Sequence, residues 1–140
     1  MKKLLLLLLF IPLVSFSQIH FGKTKNQIKD IITGADLCLD DENSLMFCAS
    51  SGNIVGYFFK NNRCVSITFH TKYSTESEAK TALKKEVNAF AQKNNVAPYK
   101  KDNMSSTFIL ISEGVGVEFS FKKTESGTIY ITQTFADIES

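Results

Sequence analysis

Three cysteines, two histidines and a short run of carboxylates are the residues with which this 140-residue chain could do chemistry. A cysteine nucleophile needs a base within hydrogen-bond reach, and the nearest pairing in sequence is Cys64 with His70. If both lie on one strand, six residues separate them by ~20 Å, so they are not partners. The chain contains no C-x-x-C, G-x-S-x-G or H-E-x-x-H motif and no Walker-type loop. His70 alternates with Ser66 and Thr68 onto a polar side and reads as a surface histidine. His20 falls in an N-terminal stretch expected to be loose. Asp36, Asp40, Asp41 and Glu42 beside Asn43 offer enough oxygens for calcium, yet they do not follow the D-x-D-x-D-G loop and read as a solvated acidic turn. Lys100 and Lys101 likewise read as a solvated basic loop. The enzyme alternative is a small secreted hydrolase with a site drawn from Asp36, Asp40, His70 and Glu118. No catalytic residue, metal or cofactor is expected on the principal reading.

The elements that would position these groups begin with a leader. Lys2 and Lys3 form a positive n-region, Leu4 to Val14 an apolar stretch interrupted by Pro12, and Ser15-Phe16-Ser17 the small residues of a cleavage site. This predicts a signal peptide over residues 1–18 and export to the periplasm or the medium. The apolar run falls short of the roughly 20 residues a membrane span needs, so no transmembrane segment is expected after cleavage. No cysteine follows the leader closely enough for lipid attachment. What remains, residues 19–140, is one domain's worth of chain. Two of the 16 basic residues are Lys2 and Lys3, whereas all 14 acidic residues come later, so the exported part is neutral. Neutrality argues against a nucleic-acid partner.

Within that domain, Ile28, Ile31 and Ile32 at helical spacing predict a short helix from Lys25 to Thr33, opened by a Thr24/Gln27 capping box and closed by Gly34. Residues 35–43 lack a period and read as a loop. Period-two alternation then predicts strands at Ser44–Ser50, Ile54–Lys60 and Arg63–Thr71, joined by two-residue turns at Ser51-Gly52 and Asn61-Asn62. A second helix, Glu76 to Asn94, carries Ala79, Leu83, Val87, Phe90 and Ala91 on one stripe behind a Thr75/Glu78 capping box. Residues 99–106 read as loop, and Thr107–Ser112, Val115–Lys123 and Thr128–Ala136 as three more strands. The expected fold class is α+β, an antiparallel sheet or sheets with two helices in the order α-β-β-β-α-β-β-β. Either an internal duplication or one continuous sheet with both helices on one face fits this order.

Two-residue turns would set Leu45, Phe47, Ala49, Ile54, Phe58, Val65, Ile67 and Phe69 on the core face. Met46, Val55, Tyr57 and Phe59 would then form an outward aromatic patch, the candidate site for a partner or ligand if nothing covers it. In the same register Cys48 and Cys64 lie ~13 Å apart along the sheet, beyond the 7 Å Cα limit. Any bridge must therefore use Cys38, with Cys48 or Cys64.

Gly22-Lys23-Thr24 followed by Ile28, Ile31 and Gly34, then Gly56-Tyr57-Phe58-Phe59 and Val65-Ser66-Ile67, resembles the opening of small exported modules of the outer-membrane assembly lipoprotein (SmpA/OmlA-like) and β-lactamase-inhibitor-protein-like type. The resemblance covers roughly Phe21 to Phe69. It implies a noncatalytic module in which a short helix feeds an antiparallel sheet that contacts other envelope proteins. The functional expectation is thus an exported binding protein of the cell envelope that contacts a protein partner or small apolar ligand through a sheet face. Strand addition at an open edge is a third, purely structural reading.

Overall fold

Alternation of apolar and polar residues in six segments, each bounded by turn chemistry, drives the chain into a single antiparallel sheet. The computed structural model describes residues 20–32, 35–102 and 104–139, with the backbone alone for Ser112. The leader and Gly34 lie outside the described residues. Helix α1 (Lys25–Ile31) precedes β1 (Asp36–Asp40), β2 (Ser44–Cys48), β3 (Ile54–Lys60) and β4 (Arg63–Tyr73); helix α2 (Glu76–Asn94) precedes β5 (Lys100–Lys101), β6 (Ser105–Leu110), β7 (Val115–Lys123) and β8 (Ile129–Asp137). A 3-10 turn, Ile111–Glu113, links β6 to β7. All eight strands form one sheet in the order β1-β2-β3-β4-β8-β7-β6-β5.

The α+β expectation is corrected by this arrangement. Strand accounts for 47% and helix for 25%, a sheet-dominated fold. Two segments read as loops are edge strands. Every residue of β1 is exposed, so it has no buried face to impose a period. It is held instead by its ladder to β2 and by a disulfide. β5 spans two exposed residues and is equally invisible to periodicity.

Both helix starts follow from their caps. The Thr24 side chain accepts from the Gln27 amide and the Gln27 side chain accepts from the Thr24 amide, a complete capping box. Thr75 accepts from the Glu78 amide, and α2 ends on Asn95 in the left-handed region at φ 49°. Ala79, Leu83 and Val87 of α2 pack on Phe108, Val117, Phe119 and Phe135, while Ile28 of α1 packs on Leu45, Phe47, Tyr57 and Ile67. Phe69 and Phe21 touch both clusters. Ile67 pairs with Phe135 across the β4–β8 ladder, so the two clusters, and with them both helices, lie on one face.

The two halves are related by an approximate two-fold axis through the central pair Thr68–Thr134, whose hydroxyls lie 3.3 Å apart. Stepping outward along the ladders, Gly56 corresponds to Glu118, Met46 to Thr107 and Leu39 to Lys100. At four helix-side positions the correspondence keeps residue type, Phe47 with Phe108, Val55 with Val117, Tyr57 with Phe119 and Phe59 with Phe121, whereas Leu45 corresponds to Ser106 and Ile67 to Gln133. It extends to hydrogen bonding in the edge hairpins. The Asp41 amide donates to the Ser44 carbonyl and its carboxylate accepts from the Asn43 amide and the Ser44 hydroxyl. Asp102 does the same with the Ser105 carbonyl, the Met104 amide and the Ser105 hydroxyl.

The expected register fails at β3. Asn61 and Asn62 do make the two-residue turn, at φ 50° and 57°, and Phe59 faces Cys64. A bulge follows, so Phe58 faces Ser66 rather than Val65 and Tyr57 faces Ile67. On the other side the β2–β3 turn takes Ala49 to Asn53, closed by the Ala49 amide on the Asn53 carbonyl and by Gly52 at φ 91°. Leu45 therefore faces Tyr57, not Phe58. A one-residue slip turns every side chain of a strand over. Val55, Tyr57 and Phe59 go into the core with Leu45, Phe47, Ile67 and Phe69, and Ile54 and Phe58 come out.

Tyr57 is 0% exposed. Burial pushes its phenol above the ordinary range, and its hydroxyl has no hydrogen-bond partner among the described residues. Tyr57→Phe is expected to raise the free energy of unfolding by about 1 kcal/mol, since it removes an unsatisfied buried hydroxyl. Tyr57→Ala is expected to lower it by about 3–5 kcal/mol. Urea denaturation of the two variants checks both, and a neutral Tyr57→Ala would contradict this register.

Candidate functional site

With both helices on one side, the other side of the sheet is the large unlayered surface of the molecule, and among the described residues no helix or strand lies over it. Its first half is apolar. Met46, Ile54 and Phe58 project there, half-buried, around Gly56. A Cβ on Gly56 would stand 3.3 Å from the Phe58 ring and 3.8 Å from the Met46 methyl, so both side chains fold over the glycine and make a flat hydrophobic platform. The centre is a hydroxyl seam: Thr68 with Thr134, and His70 Nδ1 3.0 Å from the Thr132 hydroxyl with its ring edge-on to Tyr130. The second half is more polar: Thr107, Glu118 and Ser120 occupy the places of Met46, Gly56 and Phe58, and its apolar side chains include Ile109 and Ile138, the latter 3.3 Å from where a Cβ on Gly116 would stand.

Of the four residues expected at the partner site, Met46 alone is on this surface. Val55 packs against the core cluster, and Tyr57 and Phe59 are in it. The platform was missed because its residues, Ile54 and Phe58, were assigned to the core by the assumed two-residue β2–β3 turn. The signal that could have found it is the five-residue polar stretch Ala49 to Asn53, which suits a longer loop as well as Ser51-Gly52 suits a short one.

The cysteines sort as the strand geometry requires. Cys38, at the irregularity in the β1–β2 ladder, is bonded to Cys48 with Cα atoms 5.9 Å apart. Cys64 is free and buried, and burial pushes its thiol up to about 12, so it stays protonated and inert at neutral pH. His20, expected to be loose, is only 4% exposed. The stretch after it is tied down: the Gly22 amide donates to the Cys64 carbonyl and the Cys64 amide to the Lys23 carbonyl, each at 2.8 Å. His20 then stacks at 5.7 Å on Tyr57.

The four residues of the hydrolase alternative are not brought together. Asp36 and Asp40 lie on β1, three strands from His70 on β4, or roughly 14 Å across the sheet. Glu118 on β7 lies two strands from His70 on the other side, at roughly 10 Å or more. Asp40 is clasped by Lys25, at 2.6 Å, and by Lys29 from α1, and these hydrogen bonds hold its carboxyl below the usual range. Among the described residues no three His, Cys, Asp or Glu gather as a metal cage, and no helix is long and apolar enough to cross a membrane. Comparison of the chain with family models, with curated proteins and with solved structures finds no match.

Closing the edge loop with a disulfide constrains the unfolded chain over a separation of 10 residues. Cys38→Ser is expected to cost about 2–3 kcal/mol. The same loss should follow reduction of the native protein, read by denaturant midpoint with and without dithiothreitol.

Both histidines are held below the ordinary histidine value, by burial first and then by Lys23 for His20 and Lys122 for His70. The unfolded chain therefore binds protons more readily than the folded one. This contribution to stability is complete above pH ~6.5 and is lost as pH falls through that value and then through the lower folded values. Glu86, raised by burial, acts oppositely as pH rises above the ordinary carboxylate range. Unfolding measured from pH 7.5 to 5 in the native protein and in His70→Gln separates the two: the variant is expected to show the shallower decline on acidification.

Proposed function

We propose that this protein is an exported, noncatalytic binding module of the cell envelope, docking a protein partner or a small apolar ligand on the open face of its sheet. One observation carries the reading. At most helix-facing positions the halves use like residue types, with Leu45 against Ser106 and Ile67 against Gln133 as departures, while at the open-face positions the first half places Met46, Ile54 and Phe58 where the second places Thr107, Gly116 and Ser120. The scaffold does not need an apolar platform there, since the corresponding strands do without one. Clustered surface apolarity of this kind is a recurrent mark of contact sites. The leader of residues 1–18 supports export, the disulfide suits an oxidising compartment, and the likeness of residues 21–69 to envelope modules points the same way.

A photo-crosslinking residue at Phe58 in the mature chain, expressed in its native envelope, is expected to capture one discrete species, identified as a protein by mass or as a lipid by extraction. The same residue at Glu125, in the turn before β8, is expected to capture none. Phe58→Glu should leave the denaturant midpoint within about 1 kcal/mol of the native protein, because the side chain is half-exposed. It should also abolish the crosslink from a probe at Ile54. Equal labelling from Phe58 and Glu125, or a native N-terminus beginning at Met1 in the cytosol, overturns the proposal.

A further inference from the structure

The two-fold relation exposes an electrostatic mismatch between the halves. In the first, α1 sends two lysines four residues apart, Lys25 and Lys29, to the end of the edge strand, where Asp40 lies between them. In the second, α2 sends Lys80 and Lys84, also four apart, to the end of the other edge strand. The residue corresponding to Asp40 there is Lys101. These three lysines line a groove of about 320 Å³ between α2 and β5–β6, floored by Leu83, Val87 and Ser106. Asp102 also borders it, but its carboxylate accepts from the Met104 and Ser105 amides at 2.7 and 2.9 Å, serving the turn as Asp41 does in the first half. Among the described residues none of the three ammonium groups forms an ion pair; Lys80 is instead 5.5 Å from the centre of the Phe121 ring.

Three lysines against one carboxylate leave the groove positively charged, and that carboxylate, Asp102, is committed to the turn. The volume is at the lower end for small-ligand sites, and a buried Leu and Val beneath the cations call for an apolar portion below an anionic head. We propose that this groove binds a small carboxylate bearing a short aliphatic chain, its head group held by Lys80, Lys84 and Lys101 as Asp40 is held by Lys25 and Lys29, its chain on Leu83 and Val87. The site is on the helix side, away from the Phe58 platform, so either can fail without the other.

Sodium octanoate is the probe, titrated into the 15N-labelled mature protein and followed by amide shifts, with 1-octanol and inorganic phosphate as controls. Saturable shifts are expected at Lys84, Val87, Lys101 and Ser106, with a dissociation constant on the order of 1 mM. Salt should weaken the interaction. Octanol and phosphate should each bind about tenfold more weakly, and Lys84→Gln should weaken octanoate by about tenfold. Lys101→Asp rebuilds the arrangement of the first half and is expected to abolish octanoate binding while retaining a folded spectrum. Should that variant not fold, Lys101→Gln takes its place, with the same tenfold loss expected. Octanol binding as tightly as octanoate, phosphate binding as tightly as octanoate, shifts confined to the open sheet face, or no saturation each overturns the proposal, as does a folded Lys101→Asp protein that still binds.

Discussion

The pairing of β4 with β8 is the constraint from which the rest of the structure follows. It joins two four-stranded halves, eight residue pairs long, and fixes which side of each half faces the helices. Ile67 opposite Phe135 and the edge-on contact of Phe69 with Phe135 merge the two apolar clusters into a common layer under α1 and α2. Because that layer is complete on one side, the other is left without a covering helix or strand among the described residues, with consequences both for the hydrophobic platform and for the hydroxyl seam at the centre. A one-residue shift at this ladder would put the helices on opposite faces and split the open surface between the two sides.

Symmetry makes the departures from it informative. Most core positions correspond in type because each half solves the same packing problem: a strand face must fill the space under a helix at interior density. The match is partial: Leu45 and Ile67 correspond to Ser106 and Gln133, and Tyr57 is a phenol where the second half has Phe119. Open-face and edge positions carry no such requirement, and there the halves diverge, to an apolar platform in one and three convergent lysines in the other. Those divergences cannot be explained by folding alone, which is why the functional proposals rest on them.

Much of this was legible in the sequence because it is written in local chemistry. The Thr24 and Thr75 caps, the Ala79–Leu83–Val87 stripe, the Asn61-Asn62 turn and the requirement that any disulfide use Cys38 all depend on residues close along the chain. The edge strands were not legible, since β1 and β5 are exposed throughout and owe their extended form to a neighbour rather than to burial. The face of β3 was lost to two one-residue effects, the Val65 bulge and a turn of five residues where two were assumed. Either alone would be a small error in a loop, but with a side-chain period of two it exchanged Tyr57 and Phe59 for Ile54 and Phe58. His20 was misplaced for the same kind of reason: its order comes from backbone hydrogen bonds to Cys64, more than 40 residues away.

The ladder at the centre also sets an order of events for a chain that is synthesised N-terminus first. The first half emerges with its helix and four strands contiguous, and until the last segment arrives β4 presents a bare edge of eight residues. Since the halves are built alike, the matching edge on another molecule is a competent substitute for the chain's own β8. Crowding of incomplete chains therefore favours strand-exchanged dimers, and the lifetime of that half-finished state is the quantity that assisting chaperones would have to control.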